Sequence, residues 1–97
     1  MASTRRQQIA QVLRSGPVTV HEIARKLQMP VKIVLEDMEH VRLSVTNAER
    51  WIVEAAECLE CGFVFRGRDR LNRPSRCPQC KSEDIQDPRY GIEPNQP

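Results

Sequence analysis

Apolar residues in the first half of the chain recur at helical spacing. Ile9, Val12 and Leu13 fall at i, i+3 and i+4, and Thr4 with Gln7 three residues later reads as a capping box, so the pattern predicts a helix over Thr4 to Leu13. Ser15-Gly16-Pro17 ends it. Thr19 followed by Glu22 repeats the capping-box spacing, and Val18 and Ile23 stand where a hydrophobic staple places them, which predicts a second helix over Val20 to Leu27. Its stripe to bury is Val20, Ile23, Ala24 and Leu27, leaving His21, Glu22, Arg25 and Lys26 facing outward. Gln28-Met29-Pro30 breaks the pattern, and Pro30 suits the first position of a third helix, where its missing N–H has no helical partner to lose. Val31, Val34, Leu35, Met38 and Val41 give that helix its stripe, with Lys32, Ile33, Glu36, Asp37, Glu39 and His40 outside it. Two helices joined by a turn of about three residues, with an earlier helix able to pack across both, make a helix-turn-helix; the same spacing fits an ordinary three-helix bundle.

After Arg42 the helical period is lost. Trp51 to Ala56 reads as a strand, although Ala48 to Glu57 is also helical in composition. Phe63-Val64-Phe65 reads as a second short strand. Ile85 and Arg89-Tyr90-Gly91-Ile92 return as strands with Asp87-Pro88 as the turn between them, and residues 93–97 read as a frayed tail.

The cysteines add a chemistry that the period does not carry. They form Cys58-x-x-Cys61 and Cys77-x-x-Cys80 with fifteen residues between the inner pair. Two residues between ligands let one tight turn aim both sulfurs at a point, and two such turns complete a tetrahedral thiolate site. Gly62 after the first pair and Pro78 inside the second are turn residues where such a knuckle bends. Four thiolates close the coordination sphere, so the site is read as structural, holding one Zn2+; iron suits the same four sulfurs. Two disulfides or four unligated thiols are the alternatives: the first is disfavoured by the absence of a secretion signal, and the second would make the spacing a coincidence.

Composition narrows the class. At 97 residues and 11.2 kDa the chain is one domain, too small for a large cleft enzyme. Aromatics are 4%, namely Trp51, Tyr90, Phe63 and Phe65, so the core is thin and something besides apolar burial is expected to hold the chain together. Core packing is the expected role of Trp51, Phe63 and Phe65. The formal net charge of +2 falls to about zero once four thiolates hold a divalent ion, so bulk charge does not select a partner. Its distribution is uneven: Arg66, Arg68, Arg70, Arg73, Arg76 and Lys81 face only Asp69 between Gly62 and Lys81. No catalytic constellation is present, so no enzyme is expected, and His21 and His40 read as solvated surface. No apolar run approaches the roughly 18 residues of a membrane span, and residues 1–6 lack a signal-peptide core, so no membrane association and a cytoplasmic location are expected.

Thr4-Arg5-Arg6, Val34-Leu35-Glu36-Asp37, Cys58-x-x-Cys61-Gly62-Phe63-Val64-Phe65 and Pro74-Ser75-Arg76-Cys77-Pro78-x-Cys80-Lys81-Ser82-Glu83 together resemble archaeal and bacterial winged helix-turn-helix proteins that carry a rubredoxin-like zinc ribbon in the wing. The resemblance runs over nearly the whole chain and is most specific in the zinc half. It implies an α+β fold of three helices plus a small antiparallel wing with an inserted ribbon: residues 1–57 as helices and first wing strand, 58–82 as ribbon, 83–97 as returning strand and tail. The long wing strands would lie near Trp51 to Ala56 and Arg89 to Glu93. Members are described as transcriptional regulators, an assignment inferred from fold. Under that reading Lys32 and Ile33, at the start of the third helix, reach base edges, and Arg66, Arg68, Arg70 and Arg73 contact phosphates. The same arginines could instead solvate a loop and offset the charge of a four-thiolate site. The implied partner is DNA, with homodimerisation the usual way to read two half-sites. Glu36, Asp37 and Glu39 suit a phosphate backbone poorly, which keeps two alternatives open: a protein-interaction module of the transcription machinery, and a metal- or redox-responsive protein.

Overall fold

The structure, a computed structural model, describes residues 4–66, 71 and 73–95. Three helices come first: α1 (Arg5–Arg14), α2 (Val20–Leu27) and α3 (Val31–Leu43). Four strands follow, β1 (Glu49–Glu54), β2 (Glu57–Cys58), β3 (Ile85–Gln86) and β4 (Arg89–Pro94). They form two small antiparallel sheets, β1 with β4 and β2 with β3. The architecture is thus mixed α+β. No helix among the described residues is long and apolar enough to cross a membrane.

Both capping boxes form. Thr4 Oγ1 accepts from Gln7 N–H at 3.1 Å while Gln7 Oε1 accepts from Thr4 N–H at 2.9 Å, and Thr19 and Glu22 do the same at the start of α2. Gln28 ends α2 in the left-handed region at φ 54°, which turns the chain into α3. Pro30 is the N-cap of α3 rather than its first helical residue, because its ψ of 143° is still extended.

Ile9 and Leu13 of α1, Ile23 of α2 and Val34, Met38 and Val41 of α3 meet Tyr90 and Ile92 of β4 in one buried cluster. Leu71, from the segment joining the two cysteine pairs, is buried in the same cluster, and Tyr90 Oη donates to its carbonyl at 2.9 Å. Gly91 keeps β4 tight against this layer, since a Cβ there would sit 3.4 Å from Leu13 O and from Pro17.

Several sequence expectations need correction. Asp37 is 2% exposed, not solvent-facing. Val34, Asp37, Met38 and Val41 recur at i, i+3, i+4 and i+7 on the face that packs against α1, so a carboxylate falls within an apolar stripe. It is tolerated because Arg5 and Arg6 at the first turn of α1 both reach it. The first long strand lies at Glu49–Glu54, two residues earlier than expected, since Glu54 opposite Arg89 is the last pair and Ala56 turns away into a second core. Phe63-Val64-Phe65 is not a strand: only Val64 bridges, to Glu57, while the turn at the first cysteine pair takes the Phe63 carbonyl. Glu93 and Pro94 are in β4 rather than frayed, and Asn95 N–H extends the ladder to Ala48 O at 2.8 Å.

The burial of Asp37 predicts an asymmetry. An Arg5→Ala/Arg6→Ala variant strands a buried carboxylate and is expected to cost about 3 kcal/mol, whereas Asp37→Asn returns two solvated guanidinium groups to water and costs about 1 kcal/mol. Urea denaturation of the two variants measures the order, and a costlier Asp37→Asn would contradict it.

Candidate metal centre

Two backbone turns of identical pattern aim the four sulfurs. In the first, Gly62 N–H donates to Cys58 O at 2.9 Å and Cys58 N–H to Phe63 O at 2.8 Å; in the second, Lys81 N–H donates to Cys77 O at 3.0 Å and Cys77 N–H to Ser82 O at 2.8 Å. Gly62 and Lys81 hold equivalent places and both lie in the left-handed region, at φ 80° and φ 67°. Glycine adopts this conformation without strain; lysine does so against the steric clash of its Cβ. Alignment of the two cysteine turns within the sequence would have exposed this requirement at Lys81.

The four Sγ atoms lie within 4.8 Å of one another, with Cys58 to Cys80 at 3.5 Å and Cys61 to Cys77 at 3.6 Å. Tetrahedral coordination at about 2.3 Å per bond requires sulfurs about 3.8 Å apart, so the cluster fits one zinc ion. None of the four is in a disulfide. Cys58 and Cys77 are buried and Cys61 and Cys80 exposed, so one side of the centre rests on protein. That side is a small second core of Ala56 and Ile85 with Phe63 and Phe65, whose rings meet edge to face at 5.1 Å.

The electrostatics call for a cation. Burial opposes ionisation of Cys77, but the N–H groups of Cys80 and Gln79, 3.5 and 3.4 Å from its sulfur, with help from the Cys61 and Cys80 thiols, bring it down to about 7. At Cys61 the N–H of Phe63 favours the thiolate, yet burial and the three neighbouring sulfurs push the thiol up to about 12. Four sulfurs this close cannot all ionise without a positive ion among them. A bound zinc would hold all four as thiolates, and with four protein ligands it has no open position for water or substrate.

The remaining candidate residues are spread over two regions. Lys32 is exposed and Ile33 half-buried at the start of α3, and Arg66 is exposed just past the first cysteine turn. Arg68 and Arg70 lie outside the described residues. Arg73 is engaged: its Nη1 donates to Ile85 O at 3.2 Å and its Nε lies 3.5 Å from Asp87. A small cavity of about 60 Å3 between Val20, His21, Val31 and Leu35 on one side and Leu71, Arg73, Asp87 and Pro88 on the other puts the root of the metal segment against the first turns of α2 and α3. Sequence reasoning missed Leu71 and Asp37, whose roles exist only once distant elements pack.

Fold and site together define a small α+β protein built around a zinc ribbon. Residues 4–52 match the PF0610-like N-terminal family and residues 55–95 the PF0610 rubredoxin-like zinc beta-ribbon domain. The chain belongs to the PF0610-like family. It is similar to the solution NMR structure of protein PF0610 from Pyrococcus furiosus, with 36% identity and a TM-score of 0.77 over 96% of this chain and 91% of that one. Among curated proteins no match is found.

Cys77→Ser is expected to abolish stoichiometric zinc binding and to unfold the segment from Cys58 to Ile92, because so small an apolar core cannot stand without the metal. Zinc content with circular dichroism and thermal melts tests this; a variant matching the parent in both would refute it. Protons compete with the metal for all four sulfurs, so zinc is retained at neutral pH and released as the pH falls, which a colorimetric chelator follows. A colourless zinc-loaded protein is expected, against the visible absorption of an iron-thiolate centre.

Proposed function

We propose that this protein is a DNA-binding transcription regulator, a winged helix-turn-helix in which α2, its tight turn and α3 are followed by wing strands β1 and β4, with the zinc ribbon inserted between them. The observation that carries the reading is the packing of the ribbon root against the first turns of α2 and α3, which puts the start of the reading helix beside the ribbon. Charge supports it. Arg5, Arg6, Arg14, Arg42, Arg50, Arg73 and Arg89 are held in ion pairs with carboxylates. Among the described residues, exposed cations outside those pairs are Arg25, Lys26 and Lys32 around the α2–α3 turn and Arg66, Arg76 and Lys81 on the ribbon. Those are the groups left to neutralise phosphates. Arg68 and Arg70 continue the basic run in sequence. Arg73, by contrast, is better assigned to holding the ribbon root.

A second reading has its own support. The outer stripe of α3 carries exposed Glu36 and His40 and ends on Leu43 at 72% exposure, a surface better matched to a protein of the transcription machinery than to a groove lined by phosphates.

Binding of the zinc-loaded protein to labelled random-sequence duplexes at several salt concentrations separates the two. Retention should fall steeply with salt, and Lys32→Ala and Arg66→Ala/Arg76→Ala should each weaken it and lower the slope by about 0.9 for every phosphate that is no longer neutralised. Absence of retention at low salt would overturn the DNA reading and leave the protein-docking one.

A further inference from the structure

In the β1–β4 sheet, β4 is covered on its far edge by Val18, whereas β1 meets no other described strand on its far edge. Hydrogen-bond parity shows which groups line that free edge. Tyr90 exchanges both backbone bonds with Val18, at 2.9 and 2.8 Å, so its N–H and C=O point away from β1. Val53, opposite Tyr90, therefore points its own N–H and C=O away from β4, and so does Trp51, opposite Ile92. Arg50, Ile52 and Glu54 carry the ladder to Glu93, Gly91 and Arg89. Among the described residues no hydrogen bond reaches the outward groups of Trp51 and Val53. The strand is also apolar at its centre, with Trp51 and Ile52 half-buried and Val53 51% exposed. Its charges, Glu49, Arg50 and Glu54, stand at its two ends; it carries no lysine or proline, and its register with β4 is unbroken by a bulge.

We propose that β1 is a dimerisation strand and that its occupant is β1 of a second copy of this chain, running antiparallel about a two-fold axis through Ile52. In that register Trp51 exchanges both backbone bonds with Val53 of the partner subunit, and Arg50 stands opposite Glu54 of the partner subunit, each pairing occurring twice by symmetry. Registers centred on Trp51 or Val53 satisfy the same parity but set Arg50 and Glu54 against Ile52 or an alanine. Registers centred between residues set outward groups against inward ones. Charge and parity together therefore select Ile52. Glu54 makes no ion pair within its own chain among the described residues, so its carboxylate is available, while Arg50 already lies against Glu93 and would be shared between two carboxylates. The two sheets join into four strands, and the pairing does not depend on the DNA reading above.

Sedimentation of the zinc-loaded chain, free of DNA, from micromolar to millimolar concentration is expected to show a reversible monomer–dimer equilibrium. Val53→Pro removes an outward N–H while sparing the ladder to β4, and should abolish the dimer at unchanged zinc content. Glu54→Arg places like charges opposite each other at two symmetric positions and should weaken association about tenfold. Arg50→Glu should do the same, and an equimolar mixture of those two charge variants should recover association as a heterodimer. A monomer at every concentration overturns the proposal, and so does a dimer indifferent to these substitutions or a mixture that stays monomeric.

Discussion

Convergence of four sulfurs is the constraint on which the rest of the ribbon depends. Among the described residues the second core has only Ala56, Ile85 and two phenylalanines beside the buried cysteines, and β2 and β3 are two residues each. So little apolar area and so short a ladder cannot offset the chain entropy of ordering this segment. A metal that binds the folded arrangement and not the unfolded one supplies the difference. Lys81 shows how strongly the turn geometry is imposed: a residue with a Cβ is held in a left-handed conformation where the chain bends back so that the Ser82 carbonyl accepts from the Cys77 N–H.

The ribbon in turn reaches the helical half through a few contacts. Leu71 is buried among the helices, Tyr90 binds its carbonyl, and Arg73 ties the same segment to Ile85 and Asp87. Loss of the metal would therefore be felt in the helical core as well as at the cysteines, because Leu71 is delivered by the segment that joins the two cysteine turns. The same root stands over the first turns of α2 and α3, which is why the proposed DNA-facing surface combines helix and ribbon.

Charge pairing shapes what remains exposed. Arg14 and Glu49 join α1 to the start of β1, and their hydrogen bond holds the carboxyl below its usual range and the guanidinium above it. Pairs of this kind on a surface contribute little stability individually. Their larger effect is on the surface charge: paired arginines are neutralised, and among the described residues the cations outside such pairs lie around the α2–α3 turn and on the ribbon.

Local signals in the sequence determined the helices, their caps and the four metal ligands, because capping boxes, helical periodicity and the Cys-x-x-Cys turn are each set by residues within about four positions of one another. The α+β class followed from them. The short strands were less legible, since β2 and β3 exist only where the two cysteine turns bring them side by side. Asp37 looked solvated because polarity is a poor guide to burial when the partners that neutralise it, Arg5 and Arg6, are more than thirty positions away. Leu71 carried no signal in the sequence, because the pocket that receives it is built by three helices and a strand. Tertiary structure alone decided, among the described residues, which arginines are paired and which strand edge stays open, because both depend on neighbours that the chain supplies from a distance.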